Sequence, residues 1–245
     1  MTQSIAVMSG KGGAGKSFFC VNVATALAMR KKPSLIVDVD SGMRNADIIL
    51  RKSNNFIYDL SDIDRGNCAF ADAIVSVAGG GRLALIPGAK DPDYVPSPEF
   101  LKKLAADAAE KYRFVIFDCP AGVGASVRNA AEAADRVVIV TNPQKEAALP
   151  AATAAETVRR ACPDKPFSVL INKVDPRGLN RRDMSPDQIM DVCCARLLGI
   201  VYNAENEIEK ARRENTLLAT GKSREAKQIR NAAARLCGEH VPLLL

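Results

Sequence analysis

Gly10-Lys11-Gly12-Gly13-Ala14-Gly15-Lys16-Ser17 follows an apolar run at 4–8 and precedes a stretch of helical spacing at 17–30. The octet has the spacing G-x-x-x-x-G-K-[ST], and it stands where that pattern has a mechanism, between a strand and a helix. Glycines let successive backbone N–H groups turn inward around phosphate oxygens, and the helix beginning near Lys16 adds its positive end. In such a cradle Lys16 neutralises β- and γ-phosphates and the Ser17 hydroxyl ligates Mg²⁺. Gly10, Lys11, Gly12, Gly13, Ala14, Gly15, Lys16, Ser17 and the adjoining Phe18 are therefore the candidate nucleotide-binding residues.

Further short apolar runs lie at 34–39, 83–86, 114–117, 136–141, 167–171 and 198–202. Most are continuous rather than alternating, as in strands buried on both faces. Helical patterns separate them at 98–112, 124–133, 146–161 and 186–197. The alternation predicts a doubly wound α/β fold, a mostly parallel sheet flanked by helices, with ligands beyond the carboxyl ends of the strands. A chain of 245 residues fits a single such domain over 1–245.

With 47% hydrophobic and 25% charged residues the chain can build a sizeable core, which excludes disordered and fibrous classes. No apolar stretch approaches the roughly 18 residues that span a bilayer, and no secretory leader pattern opens the chain, so a cytoplasmic location is expected. Seven cysteines without a Cys-x-x-Cys pair read as reduced, buried thiols. The single histidine, His240, allows neither a Ser-His-Asp triad nor a histidine metal cluster. Residues 151–245 carry 16 Lys/Arg against 12 Asp/Glu, and 1–150 carry 18 against 16. The basic residues around 210–235 are diluted by Glu209, Glu214 and Glu225, which reads as a solvated helix face rather than a nucleic-acid surface.

Three carboxylates close predicted strands. Asp38 and Asp40, two apart at the end of the second run, are expected to point the same way toward a Mg²⁺ shell or an attacking water. Asp118 ends Phe117-Asp118-Cys119-Pro120-Ala121-Gly122, a Walker B carboxylate followed by a turn. With Ser17, these make Asp38, Asp40 and Asp118 the candidate metal residues.

The second lysine of the loop, Lys11, resembles the deviant P-loop signature of the MinD/ParA family. Asp40-Ser41-Gly42-Met43-Arg44-Asn45-Ala46-Asp47 is close to the switch I segment of its MinD branch. Ala134-Asp135, Thr141-Asn142-Pro143, Arg182-Asp183-Met184-Ser185 and Leu198-Gly199-Ile200-Val201 follow in the family's order, so the resemblance spans nearly the whole chain. It implies a Mg²⁺-dependent ATPase switch in septum placement that forms a homodimer on ATP. Lys11 would reach across to the partner's phosphates, Asp40 would position water, Asp38 would support magnesium, the Gly122 amide would meet the γ-phosphate and Asn172 would contact the base. Catalysis would thus fall to Lys11, Lys16 and Asp40. MinC-like or MinE-like proteins are the implied regulators.

Asn172-Lys173-Val174-Asp175 also looks like the Asn-Lys-x-Asp of GTP-binding proteins, which leaves guanine as an alternative to adenine. A non-catalytic ATP-gated adaptor and a partitioning ATPase that binds DNA are the other rivals. Ala14 and Ser17 replace the family's valine and threonine, residues 146–151 replace a polar partner surface, and Tyr202 replaces a proline near the base. The closing Val241-Pro242-Leu243-Leu244-Leu245 makes no basic amphipathic helix, so only weak or partner-mediated membrane contact is expected.

Overall fold

A computed structural model describes residues 2–43, 45–52, 56–78, 80–175 and 183–244; Arg44, Arg182 and Leu245 of the segments quoted above lie outside them. The strands are β1 (Gln3–Ser9), β2 (Ser34–Asp38), β3 (Val75–Ala78), β4 (Leu83–Ile86), β5 (Phe114–Ala121), β6 (Arg136–Thr141), β7 (Phe167–Val174) and β8 (Arg196–Tyr202). They form one sheet in the order β3-β4-β2-β5-β1-β6-β7-β8. Among the described residues only the β3–β4 strand pair is antiparallel. The chain begins at the centre of the sheet and winds outward to both edges, so its switch point lies at β1, where such folds open a ligand crevice.

The helices are α1 (Lys16–Met29), α2 (Asn45–Leu50), α3 (Leu60–Asp64), α4 (Pro98–Ala108), α5 (Ala125–Ala133), α6 (Lys145–Ala161), α7 (Pro186–Cys193), α8 (Glu205–Arg213) and α9 (Arg224–Leu236). Ala6 and Met8 of β1 pack into one apolar layer with Leu101 and Leu104 of α4, Val127 of α5, Ala154 of α6 and Ile189 of α7. Ile5 and Val7 point into the other layer, with Phe19, Val23 and Leu27 of α1 and Ile229, Ala232 and Ala233 of α9. This two-sided burial is why the strands read as unbroken apolar runs.

Several boundaries differ from the sequence expectation. The helix expected to reach residue 197 stops at Cys193, because Cys194 adopts a left-handed conformation (φ 46°) and β8 begins at Arg196. β5 runs through Pro120 to Ala121 rather than ending at 117. Pro120 falls inside a register shift of the β1 ladder, where no N–H is required. Three arginines of the basic C-terminal half make contacts within the fold. Arg230 donates to the carbonyls of Ala219 and Gly221, Arg235 to those of Leu198, Val241 and Pro242, and Arg224 lies over the Tyr202 ring.

Candidate nucleotide site

The loop of residues 10–15 leaves β1 and enters α1 as its sequence requires. Gly13 (φ 77°) and Gly15 (φ 94°) take the left-handed conformation that residues with a Cβ seldom adopt. Gly10 is fixed for a different reason, since a Cβ there would fall 1.8 Å from the carbonyl oxygen of Pro150 on α6. Ser9 Oγ donates to Lys11 O at 2.8 Å, and Phe19 N donates to Gly15 O at 2.9 Å to start the helix. Lys16 is buried in the first turn, whereas Lys11, Gly12 and Gly13 are exposed on the lip.

Asp38 closes β2 and Asp118 lies opposite it on β5. Both are buried, and burial followed by their mutual repulsion holds the Asp38 carboxyl well above its ordinary range. Burial likewise pushes Asp118 up to about 6, with the nearby Ser17 hydroxyl and Lys16 ammonium acting in the opposite sense. Asp118 Oδ1 accepts from Cys20 Sγ at 3.4 Å, while the buried Oδ2 has no hydrogen-bond partner. An orphaned carboxylate oxygen beside a hydroxyl and a lysine suits a hydrated Mg²⁺ held partly by phosphate oxygens. Among the described residues no three His, Cys, Asp or Glu side chains group into a metal site by themselves, so phosphate and water would supply most ligands.

Asp38 also makes contacts that its position at the strand end did not suggest. Its Oδ1 accepts from Asp40 N at 3.0 Å and its Oδ2 from Ala46 N at 3.4 Å, so both oxygens fold the 39–46 segment. Asp40 lies past the strand end, so the period-two argument does not govern it, yet it reaches the same cluster. Burial raises its pKa and the Lys16 charge opposes that rise. Gly122 (φ 89°) also has a partner: its N–H donates to Ser9 O at 2.9 Å.

Beside the loop opens a cavity of about 770 Å³. Gly15, Phe18, Asn22, Asn172, Lys173 and Asn203 line its inner side, and Ile48, Ile49, Ile208, Ala211 and Leu217 its outer side. Asn172 Nδ2 donates to Ala14 O at 2.9 Å, which leaves Oδ1 as the free acceptor of that amide. Asp175 does not line the cavity, nor does Tyr202, whose ring lies under Arg224, while the next residue, Asn203, does. α8 forms the outer wall without burying any residue of its own. It is held at its end by Arg51, which donates to Arg212 O and Asn215 Oδ1.

A family model described as an AAA domain matches residues 2–162. The septum site-determining protein MinD of Bacillus subtilis is 32% identical over 246 residues, covering 99% of this chain and 92% of that protein. The chain belongs to the MinD/ParA family of P-loop ATPases. The structure superposes on Aquifex aeolicus MinD from a MinC:MinD cell division complex with a TM-score of 0.89 at 27% identity, covering 100% of this chain and 99% of that one. It matches Pyrococcus horikoshii MinD, solved with Mg-ADP, at a TM-score of 0.83 and 25% identity over 96% of each chain.

The family resemblance named the phosphate end and Asn172, but not the rest of the cavity wall. Asn203 could have been found from its place directly after a strand, the rule that flags ligand contacts in such sheets. Ile48, Arg51, Ile208 and Arg212 carry no sequence signal, because short helices from distant segments bring them together. Of the seven free cysteines, Cys20, Cys119 and Cys193 are buried as expected, whereas Cys194 is exposed.

Proposed function

We propose that this chain is a single nucleotide-binding unit that binds Mg·ATP, dimerises around it, hydrolyses it slowly and thereby switches its affinity for partner proteins in septum placement. The observation that carries this reading is the split of the two loop lysines. Lys16 is buried among Asp40 and Asp118, while Lys11 stands exposed on the rim, which supports a role toward a second copy.

Loop amides and Lys16 would stabilise charge on the transferring phosphoryl group, and Asp40 would orient water by accepting its proton in a hydrogen bond. Ser17 and Asp118 would hold Mg²⁺, which when bound neutralises phosphate charge. Asn172 Oδ1 would accept from the exocyclic amine of adenine, where guanine presents a second acceptor. That geometry and the place of Asp175 outside the cavity support ATP over GTP. The internal bonds of Arg224, Arg230 and Arg235 weigh against a DNA-binding partitioning role, and Asp40 at the cluster weighs against a non-catalytic adaptor. The MinC:MinD complex of Aquifex aeolicus supports a MinC-like partner. Membrane contact would come through partners from a cytoplasmic pool; among the described residues no helix is long and apolar enough to cross a membrane.

The deciding experiment pairs two variants under light scattering and phosphate-release assays. Lys11→Ala is expected to bind ATP almost normally yet stay monomeric and lose turnover, while Asp40→Ala is expected to accumulate an ATP-bound dimer. An unchanged dimer in the first, or wild-type turnover in the second, would break the proposal.

A further inference from the structure

The segment bearing Asp40 rests on a loop that belongs to no phosphate motif. Ser41 Oγ donates to Tyr94 O at 2.8 Å, and Gly42 N donates to Ala89 O at 3.0 Å. Gly88 lies so close beneath that a Cβ there would come within 3.2 Å of Asp40 O and 3.3 Å of Asp38 Cγ. This supporting loop, residues 87–95, is itself secured to α3. Lys90 N donates to Asp59 Oδ2 at 3.1 Å, and Leu60 N donates to Pro87 O at 3.0 Å. The Tyr94 hydroxyl donates to Asp64 Oδ2 at 2.9 Å, with Arg65 over its ring and bound to Asp91 at 3.0 Å. Asp59 closes a capping box on α3, so the platform is anchored at both ends.

We infer that Ser41 and Tyr94 are positioning residues for hydrolysis, a two-bond seat that sets where the Asp40 carboxylate stands. The inference rests on the reading of Asp40 as the water-orienting group. Asp38 fixes the segment from the sheet side through the amides of Asp40 and Ala46. Ser41 and Gly42 fix it to the 87–95 loop. Without the Ser41 hydroxyl the turn keeps its backbone bonds but gains freedom directly beside the carboxylate, and orientation errors below an ångström are costly to a positioned water. Neither residue lines the cavity beside the loop, so the effect should fall on turnover and spare ATP affinity.

Ser41→Ala is expected to lower kcat about tenfold with KM for ATP within about twofold of wild type, and Ser41→Thr to restore most of the loss. Tyr94→Phe, which removes only the bond to Asp64, is expected to lower kcat about threefold. Amide exchange in peptides covering 39–43 should quicken in Ser41→Ala, with an unchanged Tm. Normal kcat with unchanged exchange in Ser41→Ala would overturn the inference, as would a fall in KM quality and Tm together, which marks general damage. A wild-type protein that fails to hydrolyse ATP while Ser41→Ala still loosens 39–43 would break the hydrolysis reading and keep the seat.

Discussion

At the phosphate end of the cleft Gly10 is pressed against the backbone of Pro150, Lys16 is buried and Ala14 is tied to Asn172. At the other end α8 has no fully buried residue, only Ile208 leaning on the core, and Arg51, just past α2, bonds to its terminus. The contrast follows from what each end must recognise. Phosphate oxygens are bound through amide dipoles, which act only when already oriented, so that end is preorganised at a cost in packing freedom. A base in the proposed cleft would enter between side chains, and a wall with few buried contacts could open for it at little cost.

The largest expected effect lies at the packed end. Gly10→Ala forces α6 and the loop apart and should cost about 3 kcal/mol or more of stability, seen as a marked drop in Tm and loss of ATP binding. Gly12→Ala is the control, because a Cβ there meets nothing within 4 Å, and its Tm should match wild type. Equal losses in the two variants would erase the distinction between packing and loop chemistry. Between the ends, Asn172→Ala should leave Ala14 O unpaired, costing about 1–3 kcal/mol and weakening ATP binding at least about tenfold by calorimetry. Unaltered affinity would show that Asn172 joins nothing. Smallest of all, Arg51→Ala should leave Tm nearly unchanged and raise amide exchange in α8 about two- to tenfold, without change in α1. Uniform exchange across both helices would mean that α8 is secured by more than the arginine.

The same contrast divides what sequence reading could reach. The octet at 10–17 carries its own geometry because each glycine and lysine acts within a few residues of its neighbours, and the central strands are legible because both their faces are apolar. β3 escaped notice as a four-residue antiparallel edge, and α2, α3 and α8 as helices of five to nine residues with short or wholly polar patterns. Asp38 shows the limit within a motif. Its position at a strand end pointed to magnesium, and its two oxygens also accept from the Asp40 and Ala46 amides, a fact of loop conformation that spacing does not encode.

The bond from Gly122 N to Ser9 O gives the proposed switch a threshold. A diphosphate would leave that amide where it is, since nothing new competes for its proton. A third phosphate offers a charged acceptor, and charge-assisted hydrogen bonds are roughly twice as strong as the neutral one given up. The exchange of one carbonyl for one phosphoryl oxygen would therefore discriminate triphosphate from diphosphate by a difference in acceptor strength alone. On that account the switch would count phosphates by the strength of one bond it must first give up.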